Sequence, residues 1–171
     1  KFRVIHLPLD IIKLFSLTGG EPLPKRSEQR KAYRIMELKR WSNMLNININ
    51  IIPKYFPPSD LIVPSSMILS LQDEDDKGNL THELLELMWV KEKDIGDKET
   101  LKEACKNCNL DFNELFKNHN NFLDRYHSLA VIASKQNVFG SPSYVFNSEV
   151  FWGQDRLDLL EKTISKRIEK R

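Results

Sequence analysis

The sequence predicts an α/β fold: a mixed sheet interrupted by an all-helical insertion. Three observations lead to it. Strand-like apolar runs stand near the beginning, at Phe2 to Leu7, and near the end, at Ser143 to Trp152. Between about residues 24 and 137, apolar residues recur mainly at helical spacing. The chain has 171 residues, 40% apolar, which suits one packed domain with a large insertion and argues against a mostly disordered chain.

The elements follow in order. Phe2, Val4 and Ile5 read as a buried strand that Pro8 ends. Ile11, Ile12, Leu14 and Phe15 mark a short helix, and Thr18-Gly19-Gly20-Glu21-Pro22 a loop. A long helix is expected from about Ser27 to Leu45, with Ala32, Ile35, Met36, Leu38 and Trp41 as its apolar face. Asn46-Ile47-Asn48-Ile49-Asn50-Ile51 alternates with period two, so a short strand is expected near 47–52. Helices are then expected at Leu61 to Leu71 and Leu80 to Lys91, with a polar turn over Asp73 to Asn79 between them. Asp97 caps a helix to about Asn107, Asp111 opens a shorter one to about Lys117, and a longer one runs from His119 to Lys135. Asn147-Ser148 turns a hairpin, Gly153 breaks its second strand, and Leu157, Leu160, Ile164 and Ile168 form the stripe of a terminal helix. The sheet part is thus expected at residues 1–23 and 138–171, and the mostly helical insertion at 24–137.

Composition excludes several classes of function. Lys plus Arg number 26 against 24 Asp plus Glu, a net charge of +2, which weakens a nucleic-acid role. The basic tail Lys166 to Arg171 suits a solvated helix end. No apolar run approaches the ~20 residues that span a bilayer. Lys1 to Leu9 lack a signal peptide's n-region, h-region and cleavage site, and a cytoplasmic location is expected. Two cysteines make no disulfide framework. Cys105 and Cys108 have the spacing of a redox pair, but they end a charged helix, where no helix N-terminus stabilises a thiolate. His6, His82, His119 and His127 show no ligand spacing, so no metal is expected. Trp89 and Tyr126 lie on apolar helix faces and read as core, with a substrate pocket between insertion and sheet as the alternative use of either.

Two segments carry candidate chemistry. In Gly140-Ser141-Pro142-Ser143-Tyr144-Val145, a proline before a strand can be cis, leaving the backbone of Ser141 to pair with an extended ligand. An ordinary turn into an edge strand fits the same residues. In Phe151-Trp152-Gly153-Gln154-Asp155-Arg156, Gly153 permits close backbone approach, and the unpaired N–H groups that open the last helix can hold a carboxylate. Asp155 can accept from an ammonium, or serve simply as a helix cap.

Together these segments resemble the end of the 2-hydroxychromene-2-carboxylate isomerases, relatives of kappa-class glutathione transferases and of DsbA. The matching residues are Phe139-Gly140-x-Pro142, the hairpin, and Phe151-Trp152-Gly153-Gln154-Asp155-Arg156-Leu157-x-x-Leu160-Glu161. Upstream, Ala32-Tyr33-Arg34-x-x-Glu37-Leu38-x-Arg40-Trp41 and Pro53-Lys54-Tyr55-Phe56-Pro57 resemble that family in matching order. The resemblance implies an α/β thioredoxin-like (DsbA-like) fold with a helical insertion, and glutathione as cofactor. It implies that Ser141, before cis-Pro142, pairs with the cysteine backbone of glutathione, and that Trp152, Gly153, Gln154 and Asp155 hold its γ-glutamyl end. It places Gly20, Arg30 and Lys31 toward the carboxylate of an aromatic substrate, and it implies a homodimer.

Two departures from the family pattern stand out. Gly20 occupies a position where the family has Asn or Lys, so it offers no side chain. The family's first strand, with the Ser-Pro-Tyr turn whose Ser activates the glutathione thiol, has no counterpart here. That strand lies between two others in a thioredoxin-like sheet, and its loss would leave unpaired backbone groups. A segment of about 25–30 residues carrying the catalytic Ser is therefore expected to precede Lys1; the alternative is that the strand is lost and the sheet is arranged otherwise. The expected function is a glutathione-dependent cis–trans isomerase of an aromatic-degradation product. The alternatives are a kappa-like glutathione transferase and, without that Ser, a non-catalytic glutathione- or protein-binding relative. A disulfide oxidoreductase would need a correctly placed Cys-x-x-Cys.

Overall fold

The computed structural model describes residues 2–168. They form two compact units. One comprises Leu23–Tyr126 with the residues up to Pro8; the other comprises Leu9–Pro22 with the residues from His127 on. The second boundary falls after Tyr126, inside a helix, rather than at 137/138, and the residues up to Pro8 go with the helical unit.

Numbered along the whole chain, the helical unit contains α2 (Glu28–Leu45), α3 (Ile62–Ser70), α4 (Glu74–Trp89), α5 (Lys98–Asn107), α6 (Phe112–Asn118) and the start of α7 (Leu123–Lys135). Side-chain caps fix most of their starts. Ser27 accepts from Arg30 N, Asp97 from Glu99 N and Thr100 N, and Asp111 from Glu114 N. The core joins Met67 and Ile68 of α3, Leu80, Leu84, Leu87 and Met88 of α4, Leu101, Ala104 and Cys105 of α5, and Leu115 of α6. Each large side chain buried there is worth ~1.5–3 kcal/mol.

Four expectations in this unit require correction. Asp73 to Asn79 is not a turn: Asp73 caps α4, accepting from Asp75 N and Asp76 N, and Glu74, Asp75 and Asp76 complement the helix N-terminus. Residues 47–52 form no strand, because their groups bond to a helix end instead of a neighbouring strand. Asn50 N donates to Trp89 O (2.7 Å) and Asn50 Nδ2 to Val90 O (3.0 Å). Phe2 to Leu7 forms no strand either; it has no ladder among the described residues, and Phe2, Val4 and Ile5 are exposed rather than buried. On α2, Ile35, Leu38 and Trp41 are half-buried, but Ala32 and Met36 are exposed.

Glu74 holds the N-terminal segment to α4. Its carboxylate accepts from His6 N (2.8 Å) and from Lys77 Nζ (2.7 Å), and lies 3.4 Å from His6 Nδ1. Burial pushes this carboxyl up, but the hydrogen bonds from Lys77 and His6 and the Lys77 charge outweigh it and bring it down to about 2.

The second unit contains α1 (Ile11–Thr18), the rest of α7, β1 (Ser143–Phe146), β2 (Glu149–Trp152) and α8 (Leu157–Ile168). Asp10 caps α1, accepting from Lys13 N (2.9 Å). The strands pair antiparallel, Ser143 opposite Trp152 and Phe146 opposite Glu149. Asn147 (φ 51°) and Ser148 (φ 67°) both take left-handed conformations, as a two-residue hairpin turn requires. Among the described residues the sheet has these two antiparallel strands, and the strands expected at Phe2 to Leu7 and at 47–52 are not part of it. Its core is Leu14, Ala130 and Val138, with Leu9, Ile11, Ala133 and Val150 packed around them. On α8, Leu160 and Ile164 are half-buried, while Leu157 and Ile168 are exposed. Lys166 and Arg167 occupy its last turn; the remaining tail residues, 169–171, lie outside the described residues.

The carboxyl of Glu74 is depressed in the folded state, so its stabilisation is present above the ordinary value of 4.5 and is lost as pH falls toward about 2. Glu74→Gln is expected to lower the melting temperature at pH 7 and to flatten the acid limb between those pH values. Thermal melts across pH 2–7 check this; an unchanged acid limb contradicts it.

Candidate functional site

The hairpin brings two distant segments together. The Ser141–Pro142 peptide is cis. Ser143 Oγ donates to Gly140 O (2.8 Å), tightening the turn into β1. Because Ser143 faces Trp152 across the ladder, the chain enters β1 and leaves β2 at the same end. There Gly153 N donates to Pro142 O (2.9 Å), joining the turn to the start of the last helix.

Gly153 has φ +97°, a conformation that L side chains rarely adopt, and an added Cβ would stand 2.5 Å from Asp155 Oδ1. Glycine is also required at 140. A Cβ there would stand 2.5 Å from Trp152 Nε1. The Trp152 indole instead lies over this backbone and meets Phe139 edge-on, with ring centroids 4.9 Å apart. Gln154–Arg156 forms a single 3-10 turn that leads into α8. Ser141, Pro142, Trp152, Gln154 and Asp155 are exposed and so accessible to a ligand. The Asp155 carboxylate already accepts from Arg156 Nη1 (2.9 Å). An exposed pair of this kind is worth only ~0–1 kcal/mol, so an ammonium can share or displace it at small cost.

A model of the DSBA-like thioredoxin domain matches residues 1–165. The chain belongs to the DSBA-like thioredoxin domain family. The 2-hydroxychromene-2-carboxylate isomerase of Sphingobium xenophagum is 25% identical to it over 160 residues, covering 91% of this chain and 80% of that protein. A solved structure of 2-hydroxychromene-2-carboxylate isomerase superimposes with a TM-score of 0.81 at 16% identity, over 95% of this chain and 79% of that one. At that identity the superposition shows the fold alone: a DSBA-like fold, mostly helical, with the small antiparallel hairpin described above.

In this DSBA-like domain, Ser141, Pro142, Trp152, Gly153, Gln154 and Asp155 surround one hydrogen bond. The Phe139–Trp152 packing and the close approach at Gly140 were not anticipated; two aromatics flanking a hairpin were their only signal. Gly20 belongs to the same unit, where its N–H donates to Phe15 O (3.1 Å) and it packs against the Phe15 ring. Arg30 and Lys31 belong to the helical unit, in the first turn of α2. Lys31 pairs with Glu28 (2.9 Å), and Arg30 N is bonded to the Ser27 cap. Among the described residues, no cluster of three or more His, Cys, Asp or Glu is arranged to hold a metal ion. No described helix is long and apolar enough to cross a membrane.

The Cys105–Cys108 pair ends α5, with Cys105 in the helical core and Cys108 packed against it. Burial, then the neighbouring Cys108 and Asp111, pushes the Cys105 thiol up to about 11. Burial, then Glu83 and Asp76, raises Cys108 as well. Both shifts suppress the thiolate, the opposite of what redox or nucleophilic chemistry requires.

Two predictions follow from this geometry. Gly153→Ala is expected to cost about 1–3 kcal/mol in unfolding free energy, from strain at the positive φ; denaturant titration measures it, and unchanged stability contradicts it. At pH 8 a thiol reagent is expected to leave native Cys105 unmodified and to react slowly with Cys108, whereas both react at once in denaturant. Rapid labelling of both native thiols would contradict their burial.

Proposed function

We propose that this protein is a glutathione-dependent cis–trans isomerase of a product of aromatic ring cleavage, of the 2-hydroxychromene-2-carboxylate type. The observation that carries this reading is the exposed juxtaposition of Ser141 and cis-Pro142 with Gly153, Gln154 and Asp155 around one backbone hydrogen bond. Support comes from the family, and from two relatives named as isomerases of that substrate.

The donor set suits a tripeptide with a zwitterionic end. Ser141 offers exposed backbone for strand-like pairing with the peptide's centre. The N–H groups at the Gln154 turn attract a carboxylate, and Asp155 takes the ammonium. When bound, glutathione supplies the thiolate nucleophile whose reversible addition permits rotation about the substrate's double bond. The chain's own contribution is to bind and orient both molecules, which lowers the entropic part of the barrier. Arg30 and Lys31 are the expected partners of the substrate carboxylate. Arg suits that role because its planar guanidinium meets a carboxylate in two parallel bonds. A homodimer and a cytoplasmic location belong to the same proposal.

The reaction is followed by separating substrate and products, with and without glutathione. Isomerised substrate, formed only with glutathione and without net consumption of it, is the expected result. A stable conjugate would replace this reading with transferase chemistry, and glutathione-independent turnover would overturn it. Asp155→Asn is expected to raise the KM for glutathione about tenfold, the worth of one charge-assisted hydrogen bond, with a smaller change in kcat.

A further inference from the structure

The helical unit leaves one side of α2 uncovered. Among the described residues, none belonging to α2 is fully buried. Ile35, Leu38 and Trp41 are half-buried on one side of the helix. Tyr33, Met36 and Met44 stand on the opposite side and are 58%, 46% and 66% exposed. Spacings of three and eleven residues from Tyr33 keep all three on one stripe. A helix in a folded protein is held chiefly by packing of its apolar side chains. A second apolar stripe, opposite the packed one, is surface that gains from being covered. Tyr and Met are also the residue types that interfaces favour.

Two charged residues share this stripe. Arg40 Nη1 donates to Glu37 Oε1 (2.5 Å), and the Arg40 side chain remains 60% exposed. One acid and one cation, three residues apart, make the stripe complementary to itself when it is turned end for end. Consider α2 lying antiparallel to α2 of a second copy, with the twofold axis passing between residues 38 and 39. Glu37 then faces Arg40 of the second copy, and Arg40 faces its Glu37, as a closed twofold contact requires. The same axis sets Tyr33 against Met44 of the second copy at both ends, a ring-to-thioether contact. Two exposed ion pairs become one network of four alternating charges, flanked by apolar side chains. An acidic surface or an anionic membrane would repel Glu37, and a basic surface would repel Arg40. A second copy satisfies both.

We infer that α2 is the interface of a homodimer, packed antiparallel on its twofold image through Tyr33, Met36, Glu37, Arg40 and Met44. The homodimer proposed above is thereby given one named surface. Its association is measured without glutathione or turnover, so a failure there is distinct from a failure of the isomerase reading.

The test is sedimentation of the whole chain over a range of concentrations. A single helix face lies at the small end of specific interfaces, below about 1,200 Å², so wild type is expected to dimerise reversibly with a micromolar dissociation constant. Arg40→Glu and Glu37→Arg each set like charges across the axis, and each is expected to weaken the dimer about tenfold or more. Mixed in equal amounts, the two variants restore opposite charges at both crossings and are expected to form a heterodimer. Lys39→Gln, which alters an exposed side chain outside the stripe, should leave wild-type association unchanged. Circular dichroism checks that each variant keeps its helices. A wild type that stays monomeric throughout would overturn the inference, whatever else covers the stripe. So would a dimer that either charge reversal leaves intact, or folded variants that do not associate when mixed. Should a charge reversal unfold the chain, Met44→Glu, at a more exposed side chain, is expected to give a folded monomer, and a wild-type dimer in that variant would overturn the inference equally.

Discussion

The hydrogen bond from Gly153 N to Pro142 O holds the hairpin's two ends in one place. A two-stranded hairpin is marginal in water, so it persists because other elements cover it. Val150 packs against the cluster of Leu14, Ala130 and Val138, while Phe151 is buried. Val150 and Phe151 point to opposite faces of β2, so both faces are covered, and a one-residue slip from the register that places Ser143 opposite Trp152 would exchange them. The turn at cis-Pro142 and the start of the last helix then follow from the register. Glycine at 153 lets the chain leave β2 at φ +97°, and glycine at 140 makes room for the indole of Trp152. The candidate site is therefore a consequence of how one small hairpin is closed.

Charge is managed in two ways in the helical unit. Glu74 is buried, but three donor groups on His6 and Lys77 surround it, so it stays ionised deep into acid. Arg34 is given the faces of Phe56 and Trp89 in place of a carboxylate. Exposed pairs such as Lys31–Glu28 and Arg156–Asp155 are worth at most ~1 kcal/mol each. The apolar clusters outweigh them, at ~1.5–3 kcal/mol for each large buried side chain. Stability thus rests mainly on burial, and charges such as Glu74 hold individual segments in place.

Much of this was legible locally. Asp10, Ser27, Asp97 and Asp111 stand immediately before helices they cap, and Asn147-Ser148 between two apolar runs reads directly as a hairpin turn. Ser141-Pro142 and Gly153 to Asp155 stand out in the sequence as candidates because each is a short motif. The errors arose where a distant partner decides. Ile47, Ile49 and Ile51 alternate like a strand, but Asn50 is claimed by the end of α4. Phe2 to Leu7 has strand composition without a ladder among the described residues. Asp73 to Asn79 looked like a turn because its acids are polar, though acids favour a helix's first turn. The two rings beside Arg34 had no local signal, since they come from residues 22 and 55 positions away in sequence.

The central claim is that glutathione binds where the hairpin meets the last helix. A titration of the 15N-labelled protein with glutathione, followed by amide and indole NMR shifts, tests it most directly. Saturable shifts at Ser141, Gly153, Gln154, Asp155 and the Trp152 indole are the result this account predicts. Shifts confined to other residues, or none at millimolar glutathione, would contradict it.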